Sequence, residues 1–149
     1  MDLRELYQEV IMDHNRNPHN RGRLDPCTHH AEGYNPLCGD MIVVELNEVD
    51  GTIAEIRFDG QGCAISTASA SMMTDVVKGK STEEAALIFV EVQKLLTEPG
   101  ETPESLREYE ELQALAGVRD FPVRIKCAIL PWHALKAAID KQTVPAKTE

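Results

Sequence analysis

The fold of this chain is limited most strongly by an Asp-Gly pair that lies between two runs rich in β-branched residues. The runs cover Met41 to Val49 and Thr52 to Asp59, and Asp50 and Gly51 join them. An Asp-Gly pair accepts the positive backbone angles of a two-residue hairpin turn, and β-branched residues favour strands. The sequence therefore predicts an antiparallel β-hairpin in the first half of the chain.

Helical patterns lie on both sides of this hairpin. Before it, apolar residues from Leu3 to Ile11 recur at helical spacing and predict an amphipathic helix that ends near His14. After it, we predict four helices, over 64–78, 81–98, 102–117 and about 122–140. The second begins at a capping box formed by Ser81 and Glu84. The third, from Thr102 to Gly117, has its apolar positions at Leu106, Tyr109, Leu112 and Leu115. This order predicts an α+β fold in which helices pack on a small antiparallel sheet.

Length and composition are those of an ordinary globular protein. The chain has 149 residues, of which 42% are hydrophobic and 27% charged, so we expect one domain over residues 1–149 with a polar tail from about 141. No apolar run approaches the ~20 residues of a membrane helix, and the first residues lack the apolar core of a signal peptide. We therefore expect no membrane contact and a cytoplasmic location, where thiols stay reduced.

The net charge of −10 argues against a nucleic-acid partner, because phosphate binding relies on lysine and arginine. Most of the excess lies within residues 83–111, where glutamates greatly outnumber basic residues. We interpret this region as solvated helix faces, with an acidic docking surface as the alternative.

Three of the four cysteines lie where glycines or a helix can present them to a common point. Cys38 and Asp40 flank Gly39 in the turn before the first hairpin strand, Cys63 follows a glycine-rich stretch at a predicted helix start, and Cys127 lies in the last helix. A helix start favours a thiolate. Three sulfurs and one carboxylate make a tetrahedral zinc site, and the alternative for each cysteine is a small buried apolar residue.

The remaining cysteine and the histidines give weaker signals. Cys27, beside a proline, is predicted not to be a ligand. His29 and His30 are close enough to it in sequence to suggest a second metal pair, although tandem histidines in a polar segment are usually exposed. His14, His19 and His133 have no partner that spacing identifies.

The motifs together resemble a known family, the SufU and IscU proteins of iron-sulfur cluster assembly, and within it the zinc-binding SufU branch. The motifs that carry the resemblance cover nearly the whole chain and are Ile11 to His14, Asn17 to Gly22, Asn35 to Asp40, Gly60 to Ser66, Ala68 to Ser71, Arg124 to Cys127 and Leu130 to Leu135. The resemblance implies an IscU-like fold. It also implies four zinc ligands, Cys38, Asp40, Cys63 and Cys127.

Three features indicate the SufU branch. Lys126 stands where the scaffold branch has a histidine that can share the metal. The stretch 120–124 matches only half of the Leu-Pro-Pro-Val-Lys segment that a chaperone reads in the scaffold branch. The extra helical segment from Thr97 to Leu112 is similar to the SufU branch as well.

The resemblance implies a zinc-dependent sulfurtransferase. Such a protein accepts persulfide sulfur from a cysteine desulfurase, here of the SufS type, and works with downstream iron-sulfur assembly proteins. Cys38 is the expected acceptor, because it lies on a flexible turn, and Asp40 the orienting ligand. The alternatives are a scaffold on which a [2Fe-2S] cluster is assembled and a protein with a purely structural zinc site. Asp40 argues against the structural site, since closed zinc sites usually use cysteine and histidine alone.

Overall fold

The computed structural model describes residues 3–98, 104–106, 108–141 and 146–147. In chain order its elements are α1 (Leu3–Arg16), β1 (His29–Asn35), β2 (Asp40–Val49), β3 (Thr52–Gln61), α2 (Ala64–Val77), α3 (Thr82–Thr97), a 3-10 turn (Glu104–Leu106), α4 (Glu110–Gln113), a 3-10 helix (Ala114–Asp120), α5 (Pro122–Ile139) and β4 (Ala146–Lys147).

The sheet has the strand order β3-β2-β1-β4. The first three strands pair antiparallel, and β4 adds a two-residue parallel bridge to β1. The predicted hairpin is confirmed as β2 and β3, and Asp50 and Gly51 both have the positive φ, 52° and 80°, that its tight turn requires. The helices pack on this sheet, which confirms the α+β prediction.

Strand β1 was not predicted from the sequence. Its inward positions are His29, Ala31, Gly33 and Asn35, so burial alternates along the strand although hydrophobicity does not. A Cβ at Gly33 would come within 3.0 Å of Leu130 Cδ1, because α5 lies directly against β1 at this point. Small and polar residues occupy this strand because the helix approaches it closely.

Helix α5 is the centre of the core. It packs against β1, β2, α2 and α3, and it continues through Pro131. The side chain of Trp132 is fully buried, and its Nε1 donates to Ser69 Oγ at 3.1 Å. The same hydroxyl donates to the carbonyl of Ala128 at 2.5 Å. A single serine of α2 therefore satisfies two polar groups of α5.

The stretch predicted as one helix from Thr102 to Gly117 is different in the structure. Thr102 and Pro103 lie outside the described residues, and from 104 onward the chain forms short 3-10 and α-helical turns. Leu112, Leu115 and Val118 are all buried and recur every third residue. That spacing matches the three-residue repeat of a 3-10 helix, in which such side chains share one face.

Within the part of the chain that the structure describes, no helix combines the length and the apolar character needed to cross a membrane.

Residues 17–28, called the crossing segment below, run from the edge strand β3 across the sheet to β1. At the β3 edge, Phe58 donates its N–H to the carbonyl of Asn20, and its own carbonyl accepts from the N–H of Gly22. At the other end, Thr28 donates its N–H to the carbonyl of Leu46 at 3.1 Å. Backbone hydrogen bonds therefore fix the crossing segment near both of its ends.

Glu45 of β2 anchors the middle of the crossing segment. Its neighbours Val44 and Leu46 belong to the core, so Glu45 points to the face of the sheet away from the helices. Its carboxylate accepts from Arg23 Nε at 2.8 Å and Arg23 Nη2 at 3.2 Å, and from the N–H of Leu24 at 2.9 Å. The hydrogen bonds from Arg23 lower the pKa of Glu45 to about 2, so the carboxylate is ionised at neutral pH.

Candidate metal centre

The turn between β1 and β2 carries the first two predicted ligands. Asn35 and Asp40 end one strand and begin the next, directly opposite each other in the ladder. Between them the chain reverses at Gly39, whose φ is +72° and whose N–H donates to the carbonyl of Asn35 at 2.9 Å. Cys38 lies on this turn and is exposed, whereas Asp40 is only 2% exposed.

The start of α2 brings Cys63 to Asp40. Cys63 immediately precedes the helix, and its N–H donates to Asp40 Oδ1 at 3.0 Å. Its sulfur lies 4.0 Å from Asp40 Oδ2. A Cβ on Gly62 would lie 2.1 Å from Ser66 Oγ and 3.4 Å from Asp40 Oδ1, so glycine allows the close approach at this point.

Cys127 completes the group from the second turn of α5. It is fully buried, and its sulfur lies 3.6 Å from that of Cys38. The donor atoms of Cys38, Asp40 and Cys127 all lie within 4.8 Å of one another, and Cys63 joins them through its contacts with Asp40. The four residues singled out in the sequence thus lie together at one end of the sheet.

Burial raises the pKa of the Cys127 thiol, and the neighbouring Asp40 and Cys63 raise it further. A divalent cation would reverse this, because coordination removes the thiol proton outright. Three sulfurs with one carboxylate oxygen are a donor set that suits tetrahedral zinc. The residues present therefore fit a zinc ion.

Sequence reasoning missed Asn35 as a member of this group. Its side chain is fully buried, Nδ2 donates to Cys127 Sγ at 3.8 Å, and Oδ1 accepts from the N–H of Leu37 at 3.2 Å. The signal for it was that Asn35 begins one of the family motifs, three positions before Cys38 and ahead of a proline. Asn35 links the Cys38 turn to the Cys127 sulfur.

Large apolar side chains are exposed beside these residues. Leu37 is 62% exposed and precedes Cys38, and Met41 is 48% exposed and follows Asp40. Val123, whose carbonyl lies 3.7 Å from Cys127 Sγ, is 54% exposed. The only exposed cysteine among the described residues thus lies next to apolar surface.

Cys27 lies apart from this centre, in the crossing segment, with Glu45 and His30 as neighbours. Burial raises the pKa of its thiol, and the charge of Glu45 raises it further. The expectation that the tandem histidines are both exposed was wrong for His29. That residue is 6% exposed, with Thr28 Oγ1 at 2.8 Å and Glu48 Oε2 at 3.2 Å from its ring nitrogens.

The other histidines have partners far away in the sequence. His14 Nδ1 lies 2.7 Å from Ser71 Oγ, and its Nε2 lies 3.3 Å from Glu111 Oε2. His19 Nδ1 lies 2.5 Å from Asp75 Oδ2. These pairings join α1 and the crossing segment to distant helices, and spacing along the sequence does not reveal them.

The family model described as the NifU-like N terminal domain matches residues 6–128.

Individual relatives match over nearly their whole length. The iron-sulfur cluster assembly scaffold protein IscU of Streptococcus pyogenes serotype M1 is 45% identical over 139 residues, which cover 93% of this chain and 86% of the relative. The zinc-dependent sulfurtransferase SufU of Bacillus subtilis (strain 168) is 42% identical over 142 residues, which cover 95% of this chain and 94% of the relative.

Among solved structures, the N-terminal part of a nitrogen-fixing NifU-like protein from Brucella abortus has the same fold. It matches with a TM-score of 0.83 at 25% identity, over 92% of this chain and 94% of that chain.

Proposed function

This chain belongs to the family of NifU-like N-terminal domains, which includes the IscU and SufU proteins, and from that membership we propose that it serves iron-sulfur cluster assembly as a zinc-dependent sulfurtransferase. It would accept persulfide sulfur from a cysteine desulfurase.

The pairing of one exposed sulfur with one buried sulfur carries the proposal. Cys38 and Cys127 lie 3.6 Å apart, yet Cys38 is exposed on a turn and Cys127 is fully buried in a helix. An incoming persulfide can reach only the exposed member of this pair. Cys38 is therefore the acceptor.

The transfer follows thiol-disulfide exchange. The Cys38 thiolate attacks the terminal sulfur of the desulfurase persulfide and forms a new S–S bond. The bond between the two persulfide sulfurs breaks, and the desulfurase cysteine leaves as a thiolate that takes its electron pair. Cys38 ends as a persulfide, so no external oxidant or reductant is needed.

Cys38, Asp40, Cys63 and Cys127 would hold the zinc, which keeps the ligating thiols deprotonated at neutral pH and restrains their reactivity. Asp40 fixes the start of α2 by accepting the N–H of Cys63. Cys127 stays anchored in α5 when the turn moves. Cys38 alone can turn outward without unpacking a helix.

The apolar residues beside Cys38 support a protein partner at this end of the molecule. Leu37, Met41 and Val123 expose apolar surface within a few residues of proposed ligands. A desulfurase that covers this surface would bring its persulfide next to Cys38 and exclude water from the reaction.

A scaffold role is the second candidate. The streptococcal relative bears the name of a scaffold protein, and the three cysteine sulfurs grouped here are the ligand type that holds iron-sulfur clusters. In that case the same residues would bind iron and sulfide while a cluster is assembled.

The test is transfer of labelled sulfur from a cysteine desulfurase supplied with sulfur-35 cysteine. We expect the zinc-loaded chain to take up label, and the Cys38→Ala variant to fold normally and take up none. Cys27→Ala is the matched control, because it removes a cysteine outside the centre, and it should keep the label.

Label on Cys38→Ala would contradict the choice of acceptor. Zinc without any labelling of the wild-type chain would instead indicate a structural site. A stable iron-sulfide chromophore formed in preference to zinc would favour the scaffold.

A further inference from the structure

Cys27, His30 and Glu45 form a second group of metal-ligand side chains, on the face of the sheet away from the helices. One sulfur, one imidazole nitrogen and one carboxylate oxygen lie within 4.8 Å of one another. The three residues belong to the crossing segment, β1 and the middle of β2, and the group shares no residue with the centre that contains Cys38, Asp40 and Cys127. We propose that this group is a second binding site for a thiophilic divalent cation such as Zn²⁺.

The register of β1 and β2 places two of the three ligands side by side. His30 and Glu45 are direct cross-strand partners of β1 and β2, so their side chains share one face and lie side by side. His30 Nδ1 lies 3.1 Å from Glu45 Oε2. The crossing segment then brings Cys27 Sγ to 3.8 Å from the same oxygen.

The carboxylate is held in one orientation. Glu45 Oε1 accepts from Arg23 Nε and from the N–H of Leu24, at 2.8 and 2.9 Å. Oε2 faces Cys27 and His30, with Arg23 Nη2 at 3.2 Å as its other contact. Metal-ligating carboxylates are typically hydrogen-bonded in this way by residues that do not touch the ion.

The imidazole ring of His30 is also held in one orientation by a neighbouring carboxylate. Its Nδ1 faces the group, and its Nε2 lies 4.0 Å from Glu32 Oε1. A carboxylate near the outer nitrogen of a histidine orients the ring for metal binding. His30 is also 43% exposed at its side chain, which gives an ion a path into the site.

Charge favours a divalent cation here. Coordination would release the Cys27 proton. The resulting thiolate, the Glu45 carboxylate and the Glu32 carboxylate beside His30 then carry three negative charges, of which Arg23 balances one. The mixture of sulfur, nitrogen and oxygen donors suits zinc more than calcium or magnesium, which prefer oxygen alone.

The His14, His19 and Asp75 group serves as the comparison, because its ligand atoms are equally close together. It contains no sulfur, and both nitrogens of His14 already have protein partners. Removal of His19 should leave binding at Cys27 unchanged.

The experiment uses the full chain equilibrated with Zn²⁺ against a competing chelator, followed by metal analysis. We expect two equivalents of zinc in the wild type and one in Cys27→Ser and in His30→Gln. His19→Gln should retain two. His30 is half-exposed, so its variant reports on the site even where Cys27→Ser impairs folding, which circular dichroism would show.

Cobalt provides the second measurement. The second equivalent of Co²⁺ should add a sulfur-to-cobalt charge-transfer band that Cys27→Ser abolishes. A wild type that binds a single equivalent which both variants retain would overturn the proposal, and so would a second equivalent that survives in both variants. Neither result depends on whether Cys38 accepts sulfur, since the sulfur-35 assay measures that separately.

Discussion

The side-chain amide of Asn35 donates to the sulfur of Cys127, a residue 92 positions later in the chain, at an Nδ2–Sγ distance of 3.8 Å. Its oxygen accepts from the backbone of the Cys38 turn at Leu37. One buried side chain therefore sets the position of the two cysteines whose sulfurs face each other.

We predict that Asn35→Asp weakens zinc binding by roughly 10–100-fold, the usual effect of losing a residue that orients ligands. The variant replaces a donor with a negative charge beside sulfurs that must also be negative. Chelator competition measures the affinity. Asn47→Asp is the matched control, because Asn47 also accepts a backbone N–H through its side chain, at 3.0 Å from Thr28, but lies outside the centre. Equal zinc affinity in both variants would show that Asn35 has no such role.

We predict that Gly60→Ala destabilises the chain by about 3 kcal/mol and disrupts the metal centre. A Cβ at Gly60 would lie 2.0 Å from the carbonyl oxygen of Met41, and the φ of +132° is one that L side chains rarely adopt. Because Gly60 pairs with Ile42, relief of the clash shifts the β2 end that carries Asp40 and the β3 end that leads to Cys63.

Denaturant unfolding and zinc content check this prediction together. Gly117→Ala is the control, since no atom lies within 4 Å of a Cβ at that position, and it should change neither quantity. A Gly60→Ala chain with wild-type stability would refute the steric argument.

We predict that Ser69→Ala lowers the free energy of unfolding by about 1–3 kcal/mol, the cost of leaving buried polar groups unpaired. The variant removes the acceptor of Trp132 Nε1 and the donor to the Ala128 carbonyl at once. Thr97→Ala removes a hydroxyl that donates to a helix carbonyl at an exposed position, Gln93, and should cost far less. Similar losses in the two variants would mean that burial does not matter here.

His133 should make the protein less stable as the pH falls. Burial lowers the pKa of His133 in the folded chain, so the unfolded chain takes up a proton near pH ~6.5 while the folded chain does not. The free energy of unfolding therefore decreases as the pH drops through the unfolded pKa, and levels off only below the folded one. His133→Gln should weaken this dependence. Urea unfolding of both chains at neutral and mildly acidic pH gives the comparison, and parallel curves would be the contrary result.

The elements with a regular pattern were predictable from the sequence. The β2–β3 hairpin follows from Asp50 and Gly51, and α5 was expected from Pro122 to about Asp140 and runs from Pro122 to Ile139. Ser81 accepts the N–H of Glu84 at 3.0 Å, as the capping motif indicated. In these elements the local sequence alone is sufficient to predict the secondary structure.

The elements and contacts that the sequence did not predict depend on packing between distant segments. Strand β1 has glycine and histidine at inward positions because α5 packs directly on it, and no local pattern contains that information. The three-residue spacing of Leu106, Tyr109, Leu112 and Leu115 was interpreted as α-helical, although the chain forms short 3-10 and α-helical turns there. The candidate metal centre shows the same division. The sequence indicated its four proposed ligands, but the contact of Asn35 with Cys127 was visible only in three dimensions.

The crossing segment also limits how this protein can meet other chains. An exposed strand edge is a template for strand addition and for aggregation, and β3 is such an edge. Its Phe58 has both backbone groups bonded to Asn20 and Gly22, so an incoming strand finds no free partner there and would first have to peel the segment away. The crossing segment therefore opposes strand pairing between copies of this chain at that part of the sheet edge.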